Sequence, residues 1–228
     1  MAASLLGTFT AAEGSGALTT GSRTTTSGSL ITIYGATYAF GGAPGTMTLS
    51  DNKSNVYTQQ TQQNQVSGSN NTGIRTAYNI GGTRGTSHTV SKTDTGENTL
   101  VAHEWSGIAA SPTTAHQNST GTSTTPSGAV TTTVTSLIVG VMAYMDSTTT
   151  FAVSGSTTLG VEVDENSDFQ AMGTGYRTGV AAGSPTVTWT LAASREWLVN
   201  VSAFEEDGGG GGGTAVPVFR HHYAVMKR

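Results

Sequence analysis

The chain has 228 residues, a formal charge of −4, no cysteine and 31 glycines, with 35% hydrophobic and only 11% charged residues. That composition is too apolar for a disordered chain and too glycine-rich for long helices, and it excludes both a disulfide framework and thiolate chemistry. The abundant threonines are β-branched and fit a pleated, half-buried surface, so the fold class expected is all-β.

Residues 1–27 are small and polar and read as an arm, an edge strand or partly disordered chain. Leu30–Phe40 predicts one long strand, or two joined at Gly35. Thr46–Ser50 alternates, Asp51–Asn55 is a polar turn, and the Gln/Asn/Ser-rich stretch 59–73 reads as an exposed loop. Ile74–Ile80, Ser87–Lys92 and Thr99–Trp105 are the next strands, and 111–128 is a second polar loop. Ser136–Tyr144 is apolar almost throughout, as a strand covered on both faces should be. Further strands are expected at 150–153, 158–163, 168–172 and 174–177. In Thr186–Leu191 and Glu196–Phe204, Val187, Trp189 and Leu191 share one face, as do Trp197, Val199, Val201 and Ala203. Nine or ten such strands (roughly) predict an antiparallel β-sandwich of jelly-roll type over residues 28–207.

A run of six glycines, Gly208–Gly213, then separates this body from the tail Thr214–Arg228. The spacer reaches on the order of 14 Å as a flexible coil. Residues 1–207 carry about −7, and the tail about +3 from Arg220, Lys227 and Arg228. Three charges are too few to make nucleic acid the favoured partner, since non-specific affinity grows with the number of phosphates neutralised. Val216, Val218, Phe219, Arg220, Tyr223, Lys227 and Arg228 are the candidate docking residues, able to add to a neighbouring sheet as an extended arm. No catalytic residue, metal site or cofactor is expected. The spacing Asp164–Asn166–Asp168 lacks the glycine and distant glutamate of a calcium loop. His88, His103, His116, His221 and His222 make no zinc spacing, and His103 and Glu104, as strand neighbours, face opposite ways. Trp189 and Trp197 alternate with core residues, whereas Trp105, at a strand end, is the candidate for stacking on a glycan. The N-terminus lacks the charged and apolar regions of a secretion signal, and no run is long enough for a membrane helix, so synthesis in a host cytoplasm is expected.

The turn Asp51-Asn-Lys-Ser-Asn-Val-Tyr57, the segment His103-Glu-Trp-Ser-Gly107, the strand Leu137-Ile-Val-Gly-Val141 and the ending Trp189–Phe204 together resemble a β-sandwich domain family common in phage and prophage proteins. The resemblance spans about residues 28–206. It implies a non-enzymatic virion protein: capsid decoration or head fibre, or alternatively a tail component or a carbohydrate-binding adhesion module. The partners it implies are further copies of the chain, as in a trimer, and other virion proteins such as the major capsid protein.

Overall fold

A computed structural model describes residues 1–67, 70–145, 151–164 and 170–208. Nineteen strands and no helix are found among them. The first eleven are β1 (Ser4–Ser15), β2 (Leu18–Thr19), β3 (Arg23–Thr25), β4 (Leu30–Phe40), β5 (Thr48–Asp51), β6 (Thr58–Gln59), β7 (Gln63–Ser67), β8 (Asn70–Ile80), β9 (Gly85–His88), β10 (Val90–Thr93) and β11 (Glu97–Ser106). The rest are β12 (Thr114–Ser123), β13 (Ser127–Ala129), β14 (Ser136–Tyr144), β15 (Phe151–Val153), β16 (Thr158–Asp164), β17 (Ala171–Val180), β18 (Thr186–Leu191) and β19 (Arg195–Glu205).

The strands form two sandwiches wound the same way. The first pairs a large sheet, β1-β11-β4-β8 with β6 and β7 beyond β8, with a small sheet β2-β10-β5. The second pairs β12-β19-β14-β17-β16 with β13-β18-β15. Replacing β1, β2, β4, β5, β7, β8, β10 and β11 by β12 through β19 reproduces both orders, and β3, β6 and β9 are extras of the first unit. In each unit the first strand meets the last, the second the seventh and the third the sixth. Such nested antiparallel pairing is how a jelly roll is wound. The single sandwich expected over 28–207 is therefore a pair, and residues 1–27 belong to the first: Phe9 and Leu18 are core residues.

The two large sheets pack face to face, giving four layers and three cores. The central core takes Leu30, Tyr34, Ala36, Val101 and Trp105 from one sheet and Leu137, Val139, Val141, Leu198 and Phe204 from the other. Alternate residues of the same strands point outward, Ile31 and Ile33 under the first small sheet and Ile138 and Met142 under the second. Coverage on both faces explains the unbroken apolar run of β14.

A local two-fold relates the units. Trp105 pairs with Leu30 as Phe204 pairs with Leu137. Tyr78 and Tyr176 stand two residues further along those central strands. Across the central layer, Tyr78 meets Phe204 edge-on at 4.9 Å and Tyr176 meets Trp105 at 5.0 Å. Thr76 donates to Asn200 Oδ1 at 2.9 Å, and its counterpart Thr174 bonds His103 Nε2 at 2.9 Å. The tyrosine contacts are reciprocal, as at an isologous interface, whereas the two equivalent threonines reach partners two residues apart in register, Asn200 in one case and His103 in the other.

Both polar loops expected from the sequence are largely strand. Within 59–73, Gln59 replaces strand pairing by its side chain, accepting from Leu49 N at 3.3 Å and donating to Leu49 O at 2.6 Å. Gln62 Oε1 likewise accepts from Met47 N at 2.8 Å. Polar residues here do the work of backbone, so hydrophobic alternation gave no sign of it. Within 111–128, β12 pairs with β19 over its whole length, from Thr114 with Phe204 to Ser123 with Arg195.

Candidate functional site

One end of the double sandwich gathers the chain's connections. The Met1 amine donates to Asp207 O, and Asp207 N donates to Gly107 O at 2.7 Å. Glu205 N donates to Thr113 O at 3.0 Å, which sets the start of β12 beside the end of β19. The first residues, the crossing between units and the departure into the glycine run therefore share one end, called the base here. The turns at Phe40, Thr95 and Ser194 lie at the opposite, distal end.

At the base, two equivalent edges are treated differently. β1 carries register shifts between Leu5 and Gly7 and between Phe9 and Ala12. Its outer side is occupied as well: Gly21 N donates to Thr10 O at 3.3 Å and Arg23 to Leu6 O at 3.4 Å. These are familiar ways of blunting an edge strand. β12 holds an unbroken register of ten pairs and contains no proline and no Asp, Glu, Lys or Arg. No described strand pairs on its far side. Among the described residues it is an open edge, and its first residue adjoins the departure point of the tail.

The docking residues Val216, Val218, Phe219, Arg220, Tyr223, Lys227 and Arg228, with His221 and His222, lie outside the described residues. So does the acidic run beyond Asp164, as far as residue 169. Trp105 corrects the glycan expectation: it is 0% exposed, its indole donates to Thr32 Oγ1 at 2.9 Å, and a ring with no open face has nowhere to stack a sugar. Its position at a strand end suggested access, but the second sandwich covers it.

Two polar clusters escaped the sequence. At the base of the first unit Asp51 Oδ2 accepts from Tyr57 OH at 2.9 Å, Asn55 Nδ2 at 2.6 Å and His88 Nε2 at 2.9 Å. Its Oδ1 takes the amides of Lys53 and Asn55 at 2.9 and 3.1 Å. Burial alone would raise the carboxyl, but the bonds from Asn55, Tyr57 and His88 outweigh it and hold it below its ordinary value. Burial likewise lowers His88, against the pull of Asp51. Thr25 Oγ1 donates to His88 Nδ1 at 2.8 Å, which completes a Thr–His–Asp relay. Such a relay serves nucleophilic catalysis only when the hydroxyl is presented to a substrate. Thr25 is 5% exposed and its oxygen also takes the Gly85 amide at 3.2 Å, so the relay fastens the ends of three strands together, β3, β5 and β9.

The second is His103, which is 1% exposed in the central layer. Its Nδ1 bonds Thr8 Oγ1 and its Nε2 bonds Thr174 Oγ1, both at 2.9 Å. Tyr34 and Trp105 rings flank it at 5.4 and 5.8 Å. Burial, helped by the nearby Arg23 charge, pushes it down to about 3, so it is neutral at pH 7. Glu104 faces the other way, as expected: it takes Thr26 N at 2.5 Å and pairs with Arg23 at 2.9 Å.

No family model, curated protein or solved structure matches this chain.

The fold and the site therefore stand on their own geometry. Two of the four landmarks of the phage-sandwich resemblance are structural knots, the Asp51 turn and the Glu104 anchor. Among the described residues no group of three His, Cys, Asp or Glu side chains is placed to hold a metal, and no helix is long and apolar enough to cross a membrane. An open cleft of about 580 Å³ lies at the base of the second unit, with Ser156, Thr158, Arg177, Thr178 and Ser184 in its wall.

Proposed function

We propose that this chain is a non-enzymatic structural protein of a phage particle, a capsid decoration or head-fibre component held from its base and assembling with copies of itself. One observation supports this above the others. The glycine run departs beside the open edge of β12, so a flexible tether and a strand-accepting edge sit together. A basic tail of 15 residues follows the spacer on an acidic body. Docking of that tail on the β12 edge of a neighbouring copy gives main-chain hydrogen bonds for affinity and charge attraction for encounter. Repetition over many copies multiplies a weak contact into a stable one. The same features suit a tail component.

The test is light scattering behind size exclusion on the full chain and on a chain stopped at Asp207. A stable oligomer for the former and a monomer for the latter supports the reading, and monomers for both remove self-assembly through the tail. A second reading, a carbohydrate-binding or adhesion module, is favoured by the hydroxyl-lined cleft around Arg177. An isolated monomer that binds glycans and loses them on Arg177→Ala would establish it.

A further inference from the structure

Lys92, Asn98 and Asp94 form a closed group at the distal end of the first sandwich. Lys92 and Asn98 are 0% exposed, and the side chains of Lys92 and Asp94 are 0% and 1% exposed. Lys92 lies on β10, in the small sheet, with Leu49 and Leu18 as its cross-strand partners. Its stem lies against Gly35 of the large sheet, where an added Cβ would stand 3.2 Å from Lys92 Cδ. Asn98 lies on β11, in the large sheet. Lys92 Nζ donates to Asn98 Oδ1, which brings the amine against the side-chain amide. Asn98 Nδ2 is held by Gly16 O at 2.6 Å and Gly96 O at 2.7 Å, so the amide plane cannot turn away. Asp94 Oδ2 faces Nζ at 3.6 Å and has no hydrogen-bond partner of its own.

The second sandwich shows what this position needs for packing alone. Asn98 pairs with Thr37, seven residues along β4 from Leu30, and its counterpart Trp197 pairs with Tyr144, seven along β14 from Leu137. There the space between small and large sheets is filled by Trp189 and Trp197. A buried amine, amide and carboxylate carry a desolvation cost that an apolar filling avoids. The arrangement joins a nucleophile, an electrophile and a proton carrier in a site closed to water, which is what an acyl transfer requires.

We propose that Lys92 and Asn98 join in an intramolecular isopeptide bond, with Asp94 as the proton carrier. Asp94 takes a proton from the Lys92 ammonium. The freed lone pair forms the Nζ–Cγ bond as the carbonyl π electrons move to Oδ1. Asp94 returns the proton to Nδ2. The oxyanion collapses, the Cγ–Nδ2 bond breaks, and its electron pair leaves with ammonia. The second Nζ proton passes through Asp94 to that ammonia, which departs as ammonium. No oxidant or cofactor enters. Burial lowers Lys92 to about 8 against the opposing pull of Asp94, so the reactive neutral amine is accessible near neutral pH. The product ties the two sheets of the first sandwich covalently in a chain without cysteine. The bond is independent of the assembly role proposed above.

Intact-mass measurement of the purified full chain decides it. The expected mass is lower than the sequence requires by one ammonia, with trypsin no longer cutting after Lys92 and a further cut after Glu97 leaving Lys92 and Asn98 joined in a branched fragment. In Lys92→Met the loss disappears, and in Asp94→Asn the full mass persists in folded protein. Full mass in the unaltered chain, with cleavage after Lys92, overturns the proposal. So does an ammonia loss that survives Lys92→Met, since that marks a succinimide at Asn98. The reading on the unaltered chain holds whether or not a variant folds.

Discussion

Acid should loosen the central layer through His103. Its folded value of about 3 stands against 6.5 for the free side chain. A base lowered on folding contributes stability that is complete above its unfolded value and is lost as pH falls, because the unfolded chain binds the proton first. The loss attributable to His103 is about 2 kcal/mol at pH 5 and about 3 kcal/mol at pH 4. Asp51 and His88 are also lowered and act in the same direction, so the total slope does not isolate His103. A variant does. His103→Gln keeps a polar group between Thr8 and Thr174 and never charges. Urea denaturation of both proteins at pH 7, 5 and 4 gives the difference in stability at each pH. The unaltered protein should lead at pH 7, and its lead should shrink by about 3 kcal/mol by pH 4. A lead independent of pH would refute the reasoning: His103 would then have to reach solvent or charge without cost in the folded state.

Gly140→Ala should destabilise by about 1–3 kcal/mol, because its Cβ would stand 2.9 Å from the Trp189 ring and 3.2 Å from Val187; thermal melting measures it, and an unchanged Tm would show that the layer can give. Asp51→Asn should cost about 2–3 kcal/mol in a denaturant midpoint, since the charge that gathers Tyr57, His88 and two backbone amides is removed. Tyr78→Ala and Tyr176→Ala should cost similar amounts, about 2–4 kcal/mol each, because the two-fold gives them equivalent aromatic partners; a strongly one-sided result would contradict that equivalence. Gln117→Lys with Thr120→Lys, both exposed on β12, should reduce self-association in light scattering while leaving the melting temperature in place.

Much of the fold could be read from apolar periodicity and little of it from polar text. β4, β11, β14 and β19 announce themselves because alternate residues enter different cores, and β18 because every second residue enters one. β12 has no such pattern: its side chains range from exposed to half-buried, so Thr, Ser and Asn conceal a regular strand. The duplication was hidden for a related reason. Most equivalent positions keep their layer but not their identity, as with Trp105 and Phe204 or Asn98 and Trp197, and the direct echoes are short: Ser29-Leu-Ile31 with Ser136-Leu-Ile138, and Thr76-Ala-Tyr78 with Thr174-Gly-Tyr176. The Asp51 and Lys92 groups were invisible because their members come from separate elements: residues 25, 51 and 88 meet only when β3, β5 and β9 do. The tail stood out because six glycines and a basic end are compositional features that need no fold to be seen.

The two units have divided their chemistry. Beneath its small sheet the first buries Lys92, Asn98, His88 and Glu104, where the second packs Trp189, Trp197, Leu191 and Val187. Buried polar groups specify one geometry sharply but lose their contribution when one partner titrates, whereas an apolar layer responds little to pH. The first unit is therefore the acid-sensitive half and the second the steadier one, from which β12 and the glycine run depart. The proposed docking of the tail would then keep its hold on the steadier half while the other yields. Hydrogen exchange at pH 5 should show β3 and β9, which meet at the Thr25–His88–Asp51 group, opening before β18 and β19, and the reverse order would mean that this group stiffens the first unit more than protonation weakens it.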